Sequence, residues 1–139
     1  MDINRHQIRE IAFQTLFASA TNPDTDREEF YQVLTDGRYG DEFPDYLATL
    51  VQGGVSDHKA DIDAIISKHL KAGWSLGRLA KTDLIILELA LYEIHFVPDT
   101  PPAKVSVNEA IELTKKFSDD RSRKFVNGVL SHELENIEK

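Results

Sequence analysis

The chain has 139 residues, 41% of them hydrophobic, no cysteine and a formal net charge of -8. That length suffices for one domain, residues 1–139, with a core that needs no covalent staples. The missing thiols exclude disulfides, thiolate metal sites and cysteine nucleophiles, as suits a reducing compartment, and the acidic balance excludes a uniformly basic nucleic-acid binder.

The opening MDINRHQIRE has no apolar stretch of a signal peptide. Residues 5–20 then read as an amphipathic helix with Ile8, Ile11, Ala12, Thr15 and Leu16 on one face and Asn4 able to cap it. Arg5, His6 and Arg9 fall on its first turns, and Phe13 and Phe17 lie one turn apart. Such an aromatic is either core or a stacking platform for an unpaired base. Asn22-Pro23-Asp24 marks a turn, and a second helix over about 26–36 carries Phe30, Val33 and Leu34, with Gly37 suited to end it.

Pro44 is placed for the first turn of a third helix. The apolar series from Leu47 to Leu70 predicts two helices, about 45–55 and 57–71, broken at Gly53-Gly54. Residues 22–63 hold eleven acidic and three basic side chains, a local net of -8. Ala72-Gly73-Trp74-Ser75 is a turn, with Trp74 expected to anchor it in the core. Leu84 to Ile94 is apolar at nearly every position, so that helix is expected to be surrounded by the others. It is too short to span a bilayer and is interrupted by Glu88. Pro98, Pro101 and Pro102 end it and form a stiff linker.

Beyond the linker, Ser106-x-x-Glu109 has the pattern of a capping box, and Val107, Ala110, Ile111, Thr114 and Phe117 recur at helical spacing. Asp119 or Asp120 caps a last helix bearing Phe125, Val126, Val129 and Leu130. Between these two apolar faces, residues 115–124 set Lys115, Lys116, Arg121, Arg123 and Lys124 against Asp119 and Asp120, a net of +3 in an acidic chain. A positive island of this kind is either a solvated helix edge or one face for a polyanion.

No segment keeps the two-residue alternation of a strand, and no repeat is apparent. An all-α fold of about six or seven helices follows. The five histidines form no His-x-x-x-His or His-Glu-x-x-His pair, and the nucleophile-elbow and phosphate-loop patterns are absent. Glu88 and Glu93, five residues apart, diverge around the helix, and Glu88 is expected at a helix margin or beside a basic side chain. No catalysis, metal or cofactor is expected, because a site needs a constellation.

Arg9-Glu-Ile-Ala-Phe-Gln-Thr-Leu-Phe17, Asp83-Leu-Ile-Ile-Leu-Glu-Leu-Ala-Leu-Tyr-Glu93, Val107-Asn-Glu-Ala-Ile-Glu-Leu113 and Lys124-Phe-Val-Asn-Gly-Val-Leu130 occur here in that order. Together they resemble the NusB family of transcription antitermination factors, along the whole chain. The resemblance implies two small helical bundles around a central apolar helix. It implies a cytoplasmic, non-enzymatic adaptor that binds single-stranded boxA RNA of ribosomal RNA leaders. Its partners would be a small-subunit ribosomal protein (NusE) and the RNA polymerase antitermination complex, with no membrane and no small-molecule substrate.

Under that resemblance the five cations of 115–124, with Arg5, His6 and Arg9, would contact phosphates. Phe17 and Phe125 would stack on bases, and Asn127 would read a base edge or brace a neighbouring helix. Gly128 would suit close helix packing, and Asp83 would face the basic partner. Three positions depart from the pattern: the N-terminal run has only two arginines, Ser118 replaces a common glycine, and Glu88 a common arginine. Two other readings are an RNA-targeting module of a ribosomal RNA methyltransferase, although the chain stops at Lys139 without that enzyme domain, and a protein-interaction module that has lost RNA binding.

Overall fold

The computed structural model describes residues 3–40, 42–52, 54–97 and 102–138, which form helices and turns with no strand among them. Pro98 and Pro101 of the expected linker, and Gly53 of the expected break, lie outside these residues. Two compact units divide the chain, Met1–Ser56 and Asp57–Lys139. No helix of the described residues is long and apolar enough to cross a membrane.

In the first unit, α1 (Arg5–Thr21) packs against α2 (Arg27–Thr35) and α3 (Asp45–Val51). The Gln7 amide donates to Asn4 Oδ1 at 2.8 Å, and the Asn4 amide donates to Gln7 Oε1 at 3.0 Å, a reciprocal cap that satisfies two otherwise orphaned donors. Asn4→Ala is therefore expected to cost about 1 kcal/mol, read as a lower midpoint in thermal or urea unfolding. All five residues assigned from sequence to the inner face of α1 are buried. Thr15 is accommodated there because its hydroxyl donates to the Ile11 carbonyl at 2.7 Å.

The inner face of α2 is not formed by its aliphatic residues. Val33 is 69% exposed, and Tyr31 and Thr35, one turn apart, are buried instead. The Tyr31 ring packs on Phe43 with centroids 5.2 Å apart, which turns the helix away from its most aliphatic edge. Asp26 caps α2 by accepting from the Glu29 amide, and the chain leaves through Asp36 and Gly37, both at positive φ.

The expected helix over 45–55 is two pieces. α3 ends at Val51, and a four-residue turn, α4 (Gly54–Asp57), begins beyond Gly53. Pro44 precedes α3 as its cap, one residue ahead of the position expected.

The second unit is built on α6 (Lys81–Phe96), which packs against α5 (Lys59–Lys68), α7 (Ala103–Phe117) and α8 (Asp120–Glu138). Every residue of α6 from Ile85 to Glu93 is buried, as its apolar run predicts. Glu88 is paired as expected, its Oε2 accepting from Lys59 Nζ at 2.8 Å. Burial and the neighbouring Asp63 carboxylate, opposed by Lys59, push the Glu88 carboxyl up to about 7.

Two expectations fail in this unit. The capping box at Ser106 does not form: Pro102 precedes the helix, so Ser106 lies a turn inside it, buried, with its amide already bonded to the Pro102 carbonyl at 3.4 Å. Trp74 does not anchor the core. It is 54% exposed, on a loop tightened by a short 3-10 turn at Leu76–Arg78.

Candidate nucleic-acid interface

Lys115 and Lys116 stand on the last turn of α7, where cations complement the carbonyl end of the helix. Asp119 then starts α8 by accepting from the Ser122 amide at 2.8 Å. Hydrogen bonds from Ser122, with the Arg121 charge nearby, hold the Asp119 carboxyl below its ordinary range. A sequence of two apolar helices with one capping aspartate between them thus produces a tight corner. The corner gathers the basic residues on one short stretch.

The five cations are not equivalent. Arg123 donates from Nε and Nη2 to Asp120 Oδ1, at 3.0 and 2.6 Å, and this holds the Asp120 carboxyl low. Lys115 pairs with Glu112 at 3.3 Å, and Lys124 approaches Asp120 only to 3.8 Å. Lys116 lies 5.7 Å from the Phe117 ring centroid. Arg121 is exposed and makes no salt bridge among the described residues. Surface pairs like these hold their partners weakly, so Lys115, Lys124 and Arg121 are available to an incoming anion.

Beside the corner, the Lys71–Ala80 loop and the first half of α8 enclose a groove of about 570 Å³. Trp74, Leu79, Phe125 and Val129 give it apolar walls, and Lys71, Arg78, Arg121 and Lys124 add positive charge. Phe125 is half-buried, whereas Trp74 is largely exposed. Aromatic faces bordered by cations can stack an unpaired base while holding its phosphates. Of these lining residues, Phe125, Arg121 and Lys124 were candidates from the sequence and Trp74 was not. Its signal was a tryptophan in a glycine-bearing turn, where a fully buried indole is uncommon.

Asp83 also lines this groove, yet it is only 7% exposed. Its carboxylate accepts from Ser122 Oγ at 2.9 Å and from Ser118 Oγ at 3.4 Å. Asp83 therefore ties the α7–α8 corner to α6, a brace that the sequence did not reveal. Ser118, one of the departures from the family pattern, supplies one of the two hydroxyls.

Asn127 is exposed, and its Oδ1 accepts from Ser131 Oγ at 3.3 Å. Gly128 is not a close-packing residue, because a Cβ there would meet nothing within 4 Å. Gly128→Ala is expected to stabilise α8 by roughly 0.5–1 kcal/mol through reduced backbone entropy, seen as a higher thermal midpoint.

The N-terminal candidates belong to the first unit. Arg5 is exposed and stacks its guanidinium on Tyr46, 3.7 Å from the ring centroid. His6 pairs with Glu10 at 2.7 Å. Phe17 is half-buried, 6.2 Å from Phe13. Arg9 is 3% exposed, so its guanidinium is enclosed within the protein, in contrast to Arg5.

Among the described residues, no group of three or more metal-ligating side chains is placed to hold an ion. Glu133 instead bridges two imidazoles, at 3.0 Å from His69 Nε2 and 2.8 Å from His95 Nε2. Its role is internal, joining α8 to the ends of α5 and α6.

Comparison with known proteins gives consistent matches. The family model described as "NusB family" matches residues 6–134. A transcription antitermination protein NusB from Lactiplantibacillus plantarum is 56% identical over 138 residues, covering 98% of each chain. Among solved structures, a T. maritima NusB superposes with a TM-score of 0.80 at 33% identity, covering 95% of this chain and 91% of its own. A crystal structure of antitermination factors NusB and NusE with double-stranded RNA gives a TM-score of 0.74 at 29% identity, covering 92% and 93%.

Proposed function

This chain belongs to the NusB family, and from that premise we propose that it is a non-catalytic RNA-binding adaptor of transcription antitermination, acting in the cytoplasm. Its ligand is single-stranded boxA RNA of ribosomal RNA leader transcripts. It binds that RNA with a small-subunit ribosomal protein, NusE, and the pair joins the RNA polymerase antitermination complex. The observation that carries this reading is the groove where Trp74 and Phe125 meet Arg121 and Lys124. A related protein solved with NusE and RNA supports both classes of partner.

In this reading the basic corner of α7 and α8 positions the strand through its phosphates, and the two aromatic rings take unpaired bases. Single-stranded RNA suits the groove better than a duplex, whose bases are already stacked and whose readable edges are hidden. Arg5, His6 and Phe17 offer a further set of RNA-binding side chains in the first unit. Asp83 serves the partner indirectly, by keeping the corner in shape beside the groove that it lines.

The test is binding of a boxA-type single strand, a scrambled strand and a duplex, each with and without the ribosomal protein, across a salt series. Sequence-dependent binding of the single strand that tightens with the protein and weakens with salt is the expected result. Equal binding of all three RNAs in both conditions would sink it. Binding of none of them would sink it too and would favour a protein-interaction module that has lost RNA binding, a reading to which the enclosed Arg9 and the Asp120-paired Arg123 lend weight.

A further inference from the structure

The first unit contains a cavity of about 310 Å³ between α2 and the segment that leads into α3. Tyr31, Phe43 and Leu47 wall it, Glu28 and Asp45 bring carboxylates to it, and Gln52 adds an amide. The Tyr31 side chain is the unusual member. It is only 4% exposed, and its hydroxyl, although near the Gln52 amide, makes no hydrogen bond of good geometry among the described residues. An orphaned buried hydroxyl is costly, so a ligand that donates to it recovers that cost. Burial raises the Tyr31 pKa, with Arg27 and the nearby Gln52 amide opposing the effect and Glu28 adding to it, so the phenol stays neutral and able to accept.

The charge around the cavity selects the ligand. Glu28 and Asp45 are exposed and form no ion pair among the described residues. They belong to the 22–63 segment whose net charge is -8. Among the described residues no lysine or arginine lines the cavity, and Arg27, the cation acting on Tyr31, is not part of its wall. A phosphate or a nucleic-acid strand would be repelled. A planar cation would meet aromatic rings for its face and three separate acceptors for its edge.

We propose that this cavity is a docking pocket for an arginine side chain of a basic polypeptide partner. The aliphatic stem of the arginine lies against Leu47 and Phe43. Its guanidinium donates to the Glu28 and Asp45 carboxylates and to the Tyr31 hydroxyl. The five donors of a guanidinium are fixed in a fork and can serve all three acceptors at once, which a compact ammonium does less well. None of the lining residues is among the side chains proposed to bind RNA, so the inference stands apart from the RNA reading.

The experiment is a two-dimensional amide NMR titration of the full chain with N-acetyl-arginine N-methylamide, and with its citrulline and lysine counterparts. Saturable shifts confined to α2 and α3 are expected, with citrulline at least about tenfold weaker because it lacks the charge. Glu28→Gln combined with Asp45→Asn, both exposed and tolerable to the fold, should weaken arginine binding by about tenfold. Tyr31→Phe should weaken it by about threefold while leaving the protein as stable or more so, since the orphaned hydroxyl is gone. Citrulline or lysine binding as well as arginine, or shifts scattered over the acidic surface without saturation, would overturn the proposal. So would unchanged affinity in the double variant.

Discussion

Glu133→Ala is expected to destabilise the protein by roughly 3–5 kcal/mol, since the hydrogen bonds of His69, His95 and Asn136 to a buried charged group disappear together. Glu133 is 3% exposed, and both of its carboxylate oxygens are occupied, by His69 at 3.0 Å and His95 at 2.8 Å. Truncation removes the acceptor and leaves the two imidazole nitrogens without their shared partner. Glu133→Gln should cost less, because an amide retains one acceptor but turns a donor toward the other ring. The urea midpoint is the readout. A loss below about 1 kcal/mol in the alanine variant would mean that the bridge is a surface-like pair and not a structural joint.

The same bridge sets a pH dependence. Burial by itself raises the Glu133 pKa, but hydrogen bonds from His69, His95 and Asn136, with the His95 charge, outweigh it, and the net shift is downward from 4.5. A lowered folded-state pKa adds stability that is complete above the unfolded value and is lost as pH falls through the folded one. Glu88 acts in the opposite sense. Its pKa is raised from 4.5 to about 7, so its contribution is full at acid pH and is lost as pH rises through about 7. Urea midpoints measured from acid to mildly alkaline pH should therefore flatten on the acid side in Glu133→Gln and near neutrality in Glu88→Gln. Parallel curves for either variant and the parent would reject that carboxylate as the titrating group.

Reversing Arg121 and Lys124 to glutamate is expected to weaken boxA RNA binding on the order of 100-fold at moderate salt, and to lower the salt-dependence slope by about 2. Both side chains are exposed, and Lys124 gives up only a loose 3.8 Å approach to Asp120. The helical circular-dichroism spectrum should be unchanged. Phe125→Leu provides the contrast. It should cost about 1–3 kcal/mol of affinity through the missing base stack while leaving the salt slope intact. RNA affinity unaltered by the double reversal, with the fold intact, would remove this face from the RNA path.

Much of the local structure could be read from residue order, because caps and amphipathic faces depend on neighbours three or four positions apart. Asn4 and Asp119 cap the helices that they were expected to cap, and Ile8, Ile11, Ala12, Thr15 and Leu16 are buried together. The apolar run of α6 marked the centre of the second unit, because a helix without a polar face must be covered on all sides. The errors arose where two local signals competed. Ser106-x-x-Glu109 matched a capping box, but Pro102 had already started the helix a turn earlier. In α2 the apolar Val33 is left exposed, and Tyr31 is buried against Phe43 instead.

The sequence by itself determined the helices, the family and the basic corner. Each is written in residues close together along the chain or in motifs whose order alone is informative. Tertiary structure decided which side chains the corner would join. It placed Trp74 and Phe125 in one groove, put Asp83 under the serines of the turn, enclosed Arg9, and closed Glu133 on histidines 64 and 38 residues away. Pairings over such separations follow from how the helices pack, and helical periodicity carries no record of the packing partner.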